Sequence, residues 1–258
     1  MSILFELERT IRSYWEVPAN FKSNNVILSS FPKSGNTWLR FLVANVLAKT
    51  SNHPLGPVDF HSIQNYAPEI RGNRKLKDAV YSEECCTFLK SHFAQIRGFE
   101  NYPCVVIFRD PQKVLLSYAH YLSEEKGRVI ENENFLKSWR YGAPAWVDFH
   151  KHWLKDEKAL FLNYQDLVDS TQTAVTDLYR ELGYEISDYV IEAATSASNR
   201  ENMSNILEEK GDPNAKNPDY KFVRKLQDCE RGLFSEDELD YLNTKCSSTY
   251  DELLKRAQ

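Results

Sequence analysis

Between Phe31 and Trp38 the sequence runs FPKSGNTW, which gathers a lysine, two hydroxyls, a glycine and an indole into one short stretch. It follows NVILSS, the apolar run Asn25 to Ser30, and precedes the apolar-periodic WLRFLVANVLAK, so it reads as the loop where a strand hands over to a helix. At such a junction the free backbone N–H groups and the positive end of the helix dipole converge on one point, and the ligand that fits is an anion. Gly35 permits close approach, Lys33 supplies positive charge, Ser34 and Thr37 supply donors beside Asn36, and Trp38 offers a flat ring suited to a nucleotide base. A phosphate-binding role is the expectation, and a plain tight turn is the bland alternative. The stretch is not a Walker A loop, because GxxxxGK[ST] is absent and the lysine precedes the glycine by two residues.

Three further segments follow: FLKSHFA (Phe88 to Ala94), VVIFRDPQKVLLSY (Val105 to Tyr118) and LFLNYQDL (Leu160 to Leu167). With FPKSGNTW, and in this order, they resemble the motifs of the soluble, cytosolic-type sulfotransferases over roughly residues 25 to 255. The resemblance implies a P-loop-like sulfotransferase fold and 3′-phosphoadenosine 5′-phosphosulfate (PAPS) as co-substrate, with its desulfated form (PAP) as product. It also implies a small-molecule acceptor, and no metal is expected because neither His/Cys spacing nor a carboxylate cluster offers a site for one. FPKSGNTW stands at the 5′-phosphosulfate loop, His92 at the catalytic base with Lys90 assisting beside Lys33, and Arg109 with Ser117 at the 3′-phosphate. Tyr164 stands at a nucleotide-facing tyrosine, with Gln165 where the family has glutamate. The adenine segment is matched by Ser198, with Thr195-Ser196 as another register, and the family's Arg-Lys-Gly run appears as Arg224-Lys225-Leu226, without the glycine. The Gly-Asp-Trp that normally follows reads Cys229-Glu230-Arg231. The Lys-Thr-Val dimerisation signature is not recognisable, so that kind of dimer is not expected and the oligomeric state is left open.

Residue chemistry alone agrees with part of this. Arg109 closes the apolar run CVVIF, so its guanidinium emerges at the C-terminal edge of a sheet, where open α/β folds place ligands, and Ser117 lies two turns into the next helix. The bland reading of Arg109-Asp110 is helix capping. His92 follows CTFLK and, taken alone, reads more readily as a buried core histidine than as a base. His53, His61, His120, His150 and His152 have no such context and are expected to be structural or superficial. Two rivals stand beside the sulfotransferase reading: a kinase-like P-loop phosphotransferase, which should show GK[ST], and a non-catalytic nucleotide-binding relative.

The elements that must position these residues follow from periodicity. Strands are predicted at Asn25 to Ser30, Cys104 to Phe108 and Ala159 to Asn163, each followed by a helical pattern, with Pro111 in a first helical turn and Gly183 as a C-cap. Strands alternating with helices give an α/β fold of the doubly wound type, a central parallel sheet flanked by helices. SEDELD at Ser235 to Asp240 reads as a helix start with Ser235 as N-cap and Glu238 three residues on, not as a calcium loop. Trp139, Tyr141, Trp146, Phe149 and Trp153 read as core. Ser123 to Asn134 and Glu208 to Lys221 read as surface loops, the second long enough for a lid. The first carries Glu124, Glu125, Glu131 and Glu133 against Lys126 and Arg128, a negative rim that favours a neutral or cationic acceptor.

Composition sets the outer bounds. The 258 residues suit one domain, 1–258, and 42% hydrophobic with 27% charged residues describes an ordinary globular chain. A formal net charge of −5 argues against a nucleic-acid partner. No apolar stretch approaches a membrane span, and Glu6, Glu8 and Arg9 interrupt any signal-peptide core, so no membrane role and a cytoplasmic location are expected. Five cysteines, an odd number without CxxC spacing, suggest neither a disulfide framework nor a zinc site.

Overall fold

The computed structural model describes residues 22–51, 56–70, 79–94, 98–217 and 234–258. Four strands form one parallel sheet: β1 (Asn25–Ser30), β2 (Thr87–Ser91), β3 (Cys104–Phe108) and β4 (Leu160–Asn163), in the order β2-β1-β3-β4. The first, third and fourth lie where the apolar runs predict them, the fourth beginning one residue later. The register pairs Ile27 with both Leu89 and Cys104, and Val106 with Phe161.

Both faces of this sheet are covered, which is why the strands read as unbroken apolar runs. Alternate residues serve opposite cores. Val26, Leu28, Phe88, Val105 and Ile107 pack against helices α1 (Asn36–Thr50), α7 (Thr171–Glu181) and α8 (Asp188–Ala197). Ile27, Leu89, Val106 and Phe108 face α3 (Pro111–His120), α5 (Ala143–Trp153) and α10 (Glu236–Arg256). The remaining helices are α2 (Ile63–Tyr66), α4 (Asn132–Leu136), α6 (Tyr164–Asp169) and α9 (Arg200–Lys210).

Local chemistry sets the helix ends. Asp110 caps α3 by accepting from Lys113 N at 3.0 Å, and Pro111 occupies its first position. Helix α7 ends in a Schellman arrangement: Gly183, at φ 83°, donates to Arg180 O, and Tyr184 donates to Tyr179 O. Ser235 and Glu238 close a reciprocal capping box on α10.

Two sequence expectations need correction. Trp139 is not core; it is 66% exposed, whereas Trp146, Phe149 and Trp153 are buried. The stretch Ser123 to Asn134 is not simply a loop, since a π-helical turn spans Tyr121–Glu125 and α4 begins at Asn132. Among the described residues no helix is long and apolar enough to cross a membrane.

Candidate active site

The C-terminal ends of β1, β2, β3 and β4 open on one edge of the sheet, and each delivers a chemically active residue there. After β1 the chain turns through residues 31–35 into α1. Lys33 takes φ 72° and Gly35 φ 99°, both left-handed, which turns successive N–H groups toward one point at the start of α1. Gly35 is required for a second reason. A Cβ there would lie 2.2 Å from Cδ2 of Tyr164, so the Tyr164 ring rests directly on the glycine. Ser34 is fully buried, yet its Oγ has no protein partner. Asn36 Nδ2 donates to Ser30 Oγ at 3.0 Å, while its Oδ1 is likewise orphaned. The unpaired Ser34 hydroxyl is a buried donor of the kind an anion accepts from, whereas Asn36 Oδ1 is an acceptor that an anion would not satisfy.

Arg109 emerges just beyond β3 with its guanidinium 4.7 Å above the Tyr164 ring, and its buried Nε has no protein acceptor. Asp110, not Arg109, performs the capping, which leaves Arg109 for a ligand. Ser117 is half-buried in the next helix. Trp38 meets Tyr164 edge-on at 5.9 Å and donates its Nε1–H to Ser198 O at 2.9 Å. Ser198 itself is fully buried and its Oγ accepts from Asn45 Nδ2, so this residue anchors Trp38 instead of presenting a hydroxyl. The orphaned hydroxyl in that segment belongs to Thr195, the other register considered from sequence. Arg224 and Lys225 lie outside the described residues.

His92 follows β2 and lines a cleft of about 860 Å³. Its Nδ1 stands 2.9 Å from Ser30 O, and a carbonyl only accepts, so Nδ1 carries the proton and Nε2 keeps its lone pair. Desolvation, reinforced by the Lys90 ammonium, pushes the ring's pKa down to about 3, so the imidazole is neutral at physiological pH. Lys90 is not a free cation. Its Nζ donates to Glu69 Oε2 at 3.1 Å, and burial, together with Arg40, draws its pKa below the usual lysine value. Burial opposes ionisation of Glu69, but Lys90, with His92 and Arg40 behind it, keeps the carboxyl below its ordinary range. The pair is held by backbone, because Lys90 N donates to Pro68 O and Ile70 N to Lys90 O.

Sequence reasoning missed Glu69, Arg40 and the true role of Glu125. Glu69 sits in a segment that joins β2 only through tertiary contact, but Arg40 had a signal: a single charge inside the apolar run WLRFLVANVLA. Glu125 is buried, accepting from Lys126 Nζ at 2.9 Å, Lys216 N at 2.8 Å and Asn217 N at 3.0 Å. It therefore ties residues 211–217 across the cleft. The other end of that strap is fixed where Lys210 Nζ meets Asp59 Oδ2 at 2.8 Å and His61 Nε2 donates to Lys210 O. Residues 208–210 of the expected loop are helical, and 218–221 lie outside the described residues. The acidic rim changes accordingly: Glu133 pairs with Lys137, Glu131 accepts from Asn134, and of the four carboxylates only Glu125 lines the cleft. Among the described residues no group of three His, Cys, Asp or Glu side chains is placed to hold a metal ion.

Comparison with known proteins matches the sulfotransferase domain family over residues 23–257. Mouse sulfotransferase 6B1 is 23% identical over 186 residues, 69% of this chain and 61% of that protein. Cytosolic sulfotransferase 14 of Arabidopsis thaliana is 25% identical over 232 residues, 78% of this chain and 67% of that one. The chain thus spans about two thirds of the length of these relatives. A mouse sulfotransferase complexed with PAP shares the fold at TM-score 0.62 and 18% identity, over 97% of this chain and 93% of that one. Retinol dehydratase in complex with androsterone and PAP does so at TM-score 0.65 and 18% identity, over 94% and 84%.

Proposed function

Because the chain belongs to the sulfotransferase family, we propose that it moves the sulfuryl group of PAPS to a hydroxyl or nitrogen of a small-molecule acceptor in the cytoplasm. The observation that carries this reading is the placement of His92. Its Nδ1–H is committed to Ser30 O at the end of β1, so Nε2 is left as the basic nitrogen beside the phosphate-type loop that starts at that same residue.

PAPS, as donor substrate, supplies the sulfuryl group and leaves as PAP. His92 Nε2 takes the proton of the attacking acceptor group, the ring being held in place by its Nδ1 contact with Ser30 O. Lys33 and the N–H groups of residues 35–37 offset the negative charge that grows on the departing phosphate, the Ser34 N–H being given to Phe31 O. Lys90 assists on the sulfuryl side, with Glu69 fixing its ammonium. Ser34, Gly35, Asn36 and Thr37 hold the 5′-phosphate. Trp38 and Tyr164 flank the nucleotide, and Arg109 with Ser117 selects the 3′-phosphate. The residues fit the nucleotide because two orphaned donors, Oγ of Ser34 beside the glycine that Tyr164 rests on and Nε of the Arg109 that stacks over the Tyr164 ring, are of the type that binds phosphate oxygens.

The test is calorimetric titration with PAP, followed by transfer of radiolabelled sulfur from PAPS to a panel of phenols, alcohols and amines. PAP binding and acceptor-dependent transfer are expected. His92→Ala should lower kcat by ~10²–10⁴-fold while leaving PAP affinity nearly unchanged. A kcat equal to wild type would remove His92 from the mechanism, and absence of PAP binding would remove the reading itself.

A further inference from the structure

Arg40 is a buried cation for which sulfuryl transfer, as described, has no use. It lies in α1 three residues beyond Thr37, is 5% exposed, and lines the cleft with Thr37 and His92. Its Nε and Nη2 both donate to one backbone carbonyl, Ala67 O, at 2.9 and 2.5 Å, and Nη1 has no acceptor among the described residues. Among the described residues no carboxylate comes within ion-pair distance of it. Glu69, whose charge acts on Arg40, gives Oε2 to Lys90, and Asp212, on the strap, acts on Lys90. Burial pulls the guanidinium down to about 10, so it is still charged at neutral pH. A neutral donor would satisfy the Ala67 carbonyl without burying a cation, so backbone anchoring does not explain the charge.

The surroundings describe what completes it. Phe41, Phe60, Ile63 and Leu207 line the same cleft and suit a ring or hydrocarbon body, while His92 waits at the reacting end. We infer that Arg40 selects acceptors carrying their own anionic group, a carboxylate or a phosphate or sulfate ester, held by the guanidinium while the hydroxyl or amine meets His92. This rests on the sulfotransferase reading. It replaces the rim as the source of charge selection, since Glu124, Glu131 and Glu133 do not line the cleft and Glu125 is taken up by Lys126, Lys216 and Asn217.

The experiment uses 4-hydroxyphenylacetate, 4-hydroxyphenylacetamide and tyramine, which share a phenol and differ in charge, bound to the wild-type enzyme with PAP in place. The carboxylate is expected to bind at least ~10-fold more tightly than the amide, as one charged hydrogen bond provides. Arg40→Gln should cut that preference below ~3-fold, Arg40→Lys should keep part of it, and PAP affinity and the KM for PAPS should stay within ~2-fold in both. Equal binding of the three, binding of none, or preference for the amide or amine overturns the inference, as does a ratio unmoved by Arg40→Gln. A parallel rise in the KM for PAPS overturns it too, by assigning Arg40 to the donor. If Arg40→Gln does not fold, the wild-type series still decides. Failure of PAP to bind wild type would sink the parent reading, whereas PAP binding without anion preference sinks this one alone.

Discussion

Gly35→Ala tests whether the loop and Tyr164 form one steric unit. Two penalties are expected. A non-glycine residue held at φ 99° costs ~1–3 kcal/mol in backbone strain. The new Cβ would also lie 2.2 and 2.6 Å from two Tyr164 ring carbons, so the ring must retreat by more than ~1 Å to reach the 3.4–4 Å of ordinary van der Waals contact. It cannot do so freely, because Arg109 stacks above it at 4.7 Å and Trp38 abuts it at 5.9 Å. Overpacking of this kind costs ~1–3 kcal/mol, so Gly35→Ala should destabilise by about 2–6 kcal/mol. Tyr164→Ala removes the obstacle but not the strain. In that background Gly35→Ala should cost only ~1–3 kcal/mol, a coupling of ~1–3 kcal/mol between the two sites. Urea unfolding of the wild type, both single variants and the double variant measures this directly. Equal cost of Gly35→Ala in both backgrounds, within ~0.5 kcal/mol, would refute the steric argument and leave the glycine needed only for its φ.

Arg109→Ala should weaken PAP by ~1.5–3 kcal/mol, yet change the affinity of the analogue lacking the 3′-phosphate far less; calorimetry with both nucleotides checks this, and equal losses would make Arg109 structural. His150 supplies a prediction on pH. It is fully buried with Nδ1–H given to Trp146 O, and burial lowers its pKa to about 3. Between that value and ~6.5 the unfolded chain binds a proton that the folded one refuses, so stability is complete above ~6.5 and falls with acidity by ~1.4 kcal/mol per pH unit. Urea unfolding from pH 7 to 5, above the carboxylate range, should show this slope shrinking in His150→Phe, and an unchanged slope would exclude His150 as its source.

How much of this was legible in the sequence depends on whether a feature is local. The strand, loop and helix from Asn25 to Thr50 are written in consecutive residues, so the apolar run, the turn and the helical period locate them to within two residues. Asp110, Gly183 and Ser235 were legible for the same reason, since each cap is satisfied by partners a few residues away. Glu125 was not. It reads as one more carboxylate in SEEKGRVIENEN, and only contact with Lys216 and Asn217, some ninety residues later, buries it and makes it a fastening. Trp139 misleads in the opposite way, because an indole in an aromatic-rich stretch looks like core, and the turn before α5 nonetheless points it to solvent. Ser198 could be matched by motif, but its direction could not, since that depends on Asn45 and Trp38 reaching it from α1.

The strand order explains why the site has a direction. Neighbouring strands stand ~4.8 Å apart, so the path from β2 across β1 to β3 covers ~10 Å at the sheet edge. Along that path the chemistry changes in sequence. β2 carries Lys90 and His92 beside the cleft, β1 leads to the phosphate-type loop, and β3 with β4 brings Arg109 over Tyr164. On the proposed reading, a donor with its 5′-phosphosulfate over β1 and its 3′-phosphate over β3 turns its sulfuryl group toward the cleft beside β2. That cleft is lined by Arg40, Glu69 and the strap, and from the β3 side by Tyr121, Glu125 and Lys126. Had β2 and β3 been exchanged, His92 would lie under the nucleotide and the same motifs could not place base and sulfur in line. The proposed chemistry thus depends on long-range topology as much as on the residues, and this part no motif encodes.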